Sequence, residues 1–303
     1  MNYNYLIPSN IHAAAGLERI ITMNERIWKS RTLHTKATKL LQDITNGINT
    51  YGIVPAPGTT DGTLVYAYEV DGTSTGITVD MDDANIPSLL SIPLLGWSGY
   101  NKEVYLNTRR RLLDPTLNPY YYTGKKLQGI GSPHTPNGYV WSMALSIEAL
   151  TLTDPKLAIP IETQIESFVK QIRQSLLMSC NGKMHESVSS NVGCPQFTRD
   201  WFEWANALFV VLVETALGIR CDDLHNDKDN DEVDDEDEDI SNTVGDAGNK
   251  DIIDAEQYAL NFNKKVINNN NNINQNSFYS DPYHNDPTIS DFYQSISAII
   301  PYN

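Results

Sequence analysis

Apolar residues recur at helical spacing along most of the first 220 positions. From Ser9 the series Ile11, Ala15, Leu17, Ile20, Ile21, Ile27 and Trp28 predicts an amphipathic helix, with Ser9 or Asn10 as its cap. A second helix is predicted over residues 33–48, stopping near Gly47. Further helical periodicity marks residues 86–96, 101–113, 139–150, 159–178 and 200–219. Pro87 suits a first helical turn, where a missing N–H costs nothing. Between the second and third helices the pattern changes to period two. There LVYAYEV alternates like a strand between Asp-Gly turns, inside the Gly/Thr-rich stretch YGIVPAPGTTDGTLVYAYEVDGTSTG. The pattern therefore predicts an all-α protein of helical hairpins with a small β-hairpin insertion. Connections this long inside a compact domain are usually functional.

Beyond Gly218 the composition changes abruptly. Residues 222–239 hold twelve acids and one Lys, a local charge of −11 out of −16 for the 303-residue chain, which leaves −5 for the remainder. Five consecutive Asn follow at 268–272. Such tracts bury too little apolar surface to offset the entropy of ordering them. The expected organisation is a domain over 1–220, a disordered acidic and Asn-rich insert over 221–277, and a segment over 278–303. The apolar residues 289–300 of that last segment would dock on the domain as a helix.

Charge and cysteine content exclude some classes. The acidic run argues against nucleic-acid phosphate as a ligand. Cys180, Cys194 and Cys221 are too few for a disulfide scaffold, and they neither require nor exclude one bridge. The start MNYNYLIPSNIHAAAG has neither the basic start nor the apolar run of a signal peptide, and no window reaches the roughly 18 apolar residues of a membrane helix. No N-x-S/T sequon occurs. Zinc and calcium signatures, a phosphate-binding Gly-rich loop and a G-x-S-x-G turn are all missing, so neither a metal nor another cofactor is expected.

Four segments combine carboxylate, imidazole, amide or guanidinium groups with aromatics. These are VDMDDANIPSLL around Asp82, Asp83 and Asn85, GIGSPHTPNGYVW around His134, KMHES around Glu186, and FTRDWFEWAN around Arg199. Polyhydroxylated ligands need such surfaces, with polar groups for the hydroxyls and flat aromatic faces for the C–H side of a sugar ring. Each segment also has a plainer reading. Asp82 or Asp83 caps the helix that follows, and His134 makes a bond that steadies its loop. Trp141 is core, Trp201 and Trp204 pack from one helical face, and Arg199 is a surface charge or a clamp on Glu186.

In this order, the blocks MDDANIPSLLSIPLLG, NPYYYTGKKLQGIGSPHTPNGYVW, MHES and FTRDWFEWAN resemble glycoside hydrolase family 125, the exo-acting α-1,6-mannosidases. The resemblance runs from about Tyr5 to about Gly218. It implies an (α/α)6 barrel, a metal-independent inverting mechanism and a mannose-containing oligosaccharide or glycan as substrate. Glu186 of MHES matches the family's general base, and Asp82, Asp83, Asn85, His134 and Arg199 are the residues expected to hold the terminal mannose. The family's general acid is an Asp in a block like RPSDDAC-x-Y-x-Y-x-IPSN. Tyr3, Tyr5 and the IPSN of residues 7–10 match the end of that block, which puts the Asp pair before Met1. Asp200 stands where relatives commonly have Pro, and Val210 where many have Gly. The expectation is therefore the C-terminal portion of such an enzyme, with an incomplete barrel, a base and no acid. The rival expectations are a non-catalytic remnant that binds a sugar or a partner, and an interaction protein working through its acidic tail.

Overall fold

The structure, a computed structural model, describes residues 3–73, 75–179 and 182–217. The insert expected over 221–277 and the helix expected over 289–300 lie outside the described residues. Strand β1 (Tyr5–Leu6) leads directly into helix α1 (Ile7–Met23). Its cap is Leu6 rather than Ser9 or Asn10. Pro8 occupies the first turn, and Asn10 turns its Nδ2 back to donate to Leu6 O at 2.8 Å. The helix buries Ile7, Ile11, Ala14 and Ala15, then passes into a π-helical turn, Asn24–Trp28. Changing from i→i+4 to i→i+5 bonding rotates later side chains off the buried stripe. Ile27 and Trp28, expected on that stripe, are exposed.

Helix α2 (Arg31–Gly47) follows, with Ser30 Oγ accepting from Leu33 N at 3.3 Å, and packs against α1 as a hairpin. The buried Asn24 fixes the connection by accepting from Ser30 N and donating to Ser30 O. Strands β2 (Ile53–Pro55) and β3 (Leu64–Tyr66) form the expected hairpin. LVYAYEV is not one strand, however. It breaks at Ala67–Tyr68, and β4 (Glu69–Val70) joins β1 and β5 (Ile77–Thr78) in a separate sheet of order β1-β4-β5.

The helix expected over 86–96 shrinks to the single turn α3 (Ile92–Leu95). Upstream, side chains take the amides that a helix would satisfy with carbonyls. Asp82 accepts from Leu89 N and Leu90 N, each at 2.8 Å, while Ser88 and Ser91 exchange amide-to-hydroxyl bonds at 2.9 and 3.1 Å. Pro87 follows a cis peptide and lies outside any helix.

Helix α4 (Lys102–Leu112) begins where expected, because Asn101 Oδ1 accepts from the Glu103 and Val104 amides. It supports the acidic loop at both ends. Tyr105 OH donates to Leu90 O at 3.0 Å, and Arg111 grips Asp80 through Nε and Nη2 at 2.5 and 2.7 Å.

A hairpin of β6 (Tyr121–Thr123) and β7 (Gln128–Ile130) precedes β8 (Tyr139–Trp141), after which α5 (Ser142–Leu150) starts. The helix expected from residue 139 starts late because Tyr139, Val140 and Trp141 pair with β9 (Ser187–Ser189). Helices α6 (Ile161–Met178) and α7 (Glu203–Leu217) pack on α5, and β10 (Phe197–Thr198) completes a sheet of order β10-β9-β8. Gly131 allows a close crossing here, since a Cβ on it would meet Tyr139 O at 2.3 Å.

The main core joins α1, α4 and α5 through Ile11, Tyr105, Trp141 and Ile147, all nearly inaccessible. A smaller cluster of Leu127, Val140, Leu145, Met178 and Val188 backs the β8–β9 ladder. Among the described residues the fold is predominantly helical, with small peripheral sheets.

Candidate active site

The MHES segment is held in place from three sides. Asn206 on α7 clamps Met184, accepting from its amide and donating to its carbonyl, both at 2.9 Å. Ser142, at the start of α5, donates to His185 O at 2.9 Å. Glu186 N donates to Thr198 O, and the hydroxyls of Ser187 and Thr198 meet at 2.6 Å. The segment so held, Met184 to Ser187, carries the carboxylate singled out from the sequence.

The β9–β10 ladder ends at the Ser187–Thr198 pair, and just beyond it lie Glu186, whose N–H still bonds Thr198 O, and Arg199. Their side chains meet there, with Arg199 Nε 3.1 Å from Glu186 Oε1. Glu186 is nearly buried while the Arg199 side chain remains 65% exposed, so the arginine reaches inward from solvent to the carboxyl group. Arg199 has φ of 49°, a left-handed conformation that ends the strand at this point. Its guanidinium also lies 5.6 Å from the centre of the Phe202 ring.

A second pair forms across the acidic loop. His134 Nε2 lies 3.2 Å from Asp83 Oδ2, while Asp83 Oδ1 and Asn85 Oδ1 are buried with no hydrogen-bond partner among the described residues. Two bare acceptor oxygens on nearby residues are costly unless something donates to them. A chain of contacts connects the pairs. Phe202, beneath Arg199, meets Trp141 edge-on at 5.9 Å, and Trp141 Nε1 donates to Thr135 Oγ1, next to His134. Trp141 is core, as expected. Trp201 and Trp204 do not share a helical face, because residues 200–202 precede α7, and both indoles are more than half exposed.

Asp82 behaves differently from its neighbour. It is 1% exposed and both its oxygens accept backbone amides, so it braces the loop that presents Asp83 and Asn85. Burial pushes its carboxyl up to about 8, with the Asp83 charge adding to the rise and the Leu90 and Leu89 amides opposing it. The Tyr68 hydroxyl is raised too, first by burial and then by Asp83 and Asp82. Tyr68 thus adjoins the acidic loop, although its place in an alternating strand-like run pointed only to packing. His185 was also passed over. It stacks on Phe197 at 3.8 Å and 5° and directs Nδ1 at Asp200 O, 2.8 Å away. The Gly193 turn between SVS and FT was the available sign of the hairpin that joins these residues.

Among the described residues no group of three or more His, Cys, Asp or Glu side chains is placed to hold a metal ion, and no helix is long and apolar enough to cross a membrane. Cys194 is disulfide-bonded, and the other two cysteines lie outside the described residues.

The described residues thus form a predominantly helical scaffold that carries an arginine-paired carboxylate, two exposed indoles and two unpaired buried acceptors. The chain belongs to the metal-independent α-mannosidases of glycoside hydrolase family 125, whose family model matches residues 1–214. It is 39% identical over 215 residues to the meiotically up-regulated gene 157 protein of Schizosaccharomyces pombe, which covers 70% of this chain and 39% of that protein. It is also similar, at 35% identity and a TM-score of 0.63, to a Streptococcus pneumoniae protein. That structure is a non-productive complex with α-1,6-mannobiose, described within a family of metal-independent α-mannosidases; the match covers 73% of this chain and 48% of that one. The chain therefore spans less than half the length of either relative.

Proposed function

We propose that this chain carries the base-bearing part of an inverting exo-α-1,6-mannosidase, with its helical hairpins forming part of an (α/α)6 barrel. The observation that carries this reading is the Glu186–Arg199 pair at the end of the β9–β10 ladder, in a member of a mannosidase family. Glu186 accepts a proton from the attacking water, and Arg199 orients the carboxylate. The free oxygens of Asp83 and Asn85 accept from hydroxyls of the terminal mannose, with His134 beside them. Asp82 acts by bracing their loop rather than by touching sugar. The α-1,6-mannobiose complex of the pneumococcal relative supports the choice of linkage.

Inversion requires a second carboxyl, roughly 6.5–9.5 Å from the base, to protonate the leaving oxygen. The family resemblance offers no counterpart of that acid among residues 1–303, so we infer that these residues hold the base without it. A general acid is worth about 10² to 10⁴ in rate. The chain should then be slow on mannobiose yet competent on a mannoside whose leaving group needs no proton. The test is hydrolysis of dinitrophenyl α-mannoside, following the first-formed anomer by NMR. Release of β-mannose that Glu186→Gln abolishes is the expected result. Binding of mannobiose without turnover of the activated mannoside would instead favour a sugar-binding remnant, the reading that the same unmatched carboxyl supports.

A further inference from the structure

The residue preceding the base has an unexplained arrangement. His185 and Glu186 lie just before β9, and Arg199 and Asp200 just after β10. The imidazole turns to the Arg199 and Asp200 carbonyls, while the carboxylate meets the Arg199 side chain. His185 is fully buried. Its Nδ1 lies 2.8 Å from Asp200 O and 3.3 Å from Arg199 O. Both partners are carbonyl acceptors, so Nδ1 carries the hydrogen. The ring lies flat on Phe197, two residues before Arg199. One side chain thus grips β10 and the turn beyond it.

Two features distinguish this from ordinary packing. Arg199 sits at φ 49°, a region that L-residues other than Asn, Asp and Gly rarely occupy, so the turn needs outside support. The other ring nitrogen, Nε2, is buried with no partner among the described residues. A phenylalanine would fill the space without that orphan, and an asparagine would offer the donor without the stack. The histidine tolerates an unpaired nitrogen in order to supply both.

We propose that His185 is a positioning residue for the Glu186–Arg199 pair. Its Nδ1–H ties together the Arg199 and Asp200 carbonyls, and its ring fixes Phe197, so the left-handed turn delivers the guanidinium to the carboxylate. The consequence for catalysis rests on Glu186 being the base; the geometric claim does not.

Two variants separate the contributions. His185→Phe keeps volume and stacking but loses the donor, whereas His185→Asn keeps a donor at the same branch and loses the ring. The direct readout is solvent exchange of the Arg199 Nε–H by NMR, its signal assigned by its loss in Arg199→Lys. His185→Phe should remain folded, with Arg199 exchange at least about tenfold faster. Its kcat on dinitrophenyl α-mannoside should fall about tenfold with little change in KM, and His185→Asn, which keeps the donor without the stack, should recover each in part. Unchanged Arg199 exchange in a folded His185→Phe overturns the proposal. Should that variant not fold, His185→Asn decides: slow exchange supports the role, and exchange as fast as in free arginine overturns it. Absence of wild-type turnover would count against the mannosidase reading while leaving the exchange result to judge His185.

Discussion

Replacing Asp82 by Asn tests the brace beneath the loop that presents Asp83 and Asn85, with a change of one heavy atom. Both Asp82 oxygens accept buried amides, from Leu89 and Leu90 at 2.8 Å. A carboxyl group can accept at both oxygens whether or not it is ionised, but the NH2 of asparagine accepts nothing. One amide is left facing a donor, at a cost of about 1–3 kcal/mol. For a domain of this size each kcal/mol lowers Tm by about 2–4 °C. The gap should also depend on pH. The folded-state carboxyl, pushed up to about 8, lies above its ordinary value of about 3.9. Between those values the folded protein holds a proton that the unfolded chain has released. Stability from this group is thus complete below about pH 4 and is lost as pH rises through about 8, by up to about 1.4 kcal/mol per unit. Asp61, Asp71 and Asp114, lowered by their Thr partners, act with the opposite sign and only in more acidic solution. Denaturant unfolding of wild type and Asp82→Asn at pH 5 and pH 8 is the assay. The wild type should be clearly more stable at pH 5, with the advantage shrinking or inverting at pH 8. Equal stability at pH 5, or an advantage that does not change with pH, would refute the reasoning.

Other predictions concern the supports of the two ion pairs. Gly131→Ala places a methyl group 2.3 Å from Tyr139 O and against the Tyr122 ring, so it should cost at least about 2 kcal/mol in chemical denaturation. A loss under 0.5 kcal/mol would show that the crossing between β7 and β8 yields easily. Arg199→Lys should barely move Tm, since the arginine is mostly exposed, a lysine keeps the charge, and such solvent-screened pairs contribute less than about 1 kcal/mol. It should nevertheless slow hydrolysis of the activated mannoside about ten- to a hundredfold, because a lysine cannot reproduce the directed Nε–H contact to Glu186 Oε1. Wild-type rates in that variant would remove Arg199 from the site.

Those supports show which parts of the molecule the sequence disclosed. Helices α2 and α4 were legible from their apolar spacing, though the caps Ser30 and Asn101 that fix their starts emerge only in the structure, and α6 was legible because its buried stripe is long. Residues 86–91 misled because their apolar spacing is helical, while the deciding bonds come from Asp82, Ser88 and Ser91 side chains. Tyr139–Trp141 looked like a helix start because three apolar residues carry no period of their own, and their partner strand lies far along the chain. The candidate polar residues were visible as chemistry, whereas the meeting of Asp83 with His134 and of Glu186 with Arg199 required long-range contacts that no local pattern encodes. His185 was hidden for a related reason. Its role depends on the carbonyls it faces across a hairpin, not on the residues beside it.

The central claim is that the Asp83 and Asn85 oxygens await the hydroxyls of a terminal mannose beside Glu186. Titration calorimetry of α-1,6-mannobiose into the folded chain tests it most directly. The account predicts saturable binding that Asp83→Ala abolishes without unfolding the protein. A folded chain that takes up no mannobiose, or binds it equally well without the Asp83 carboxylate, would contradict it.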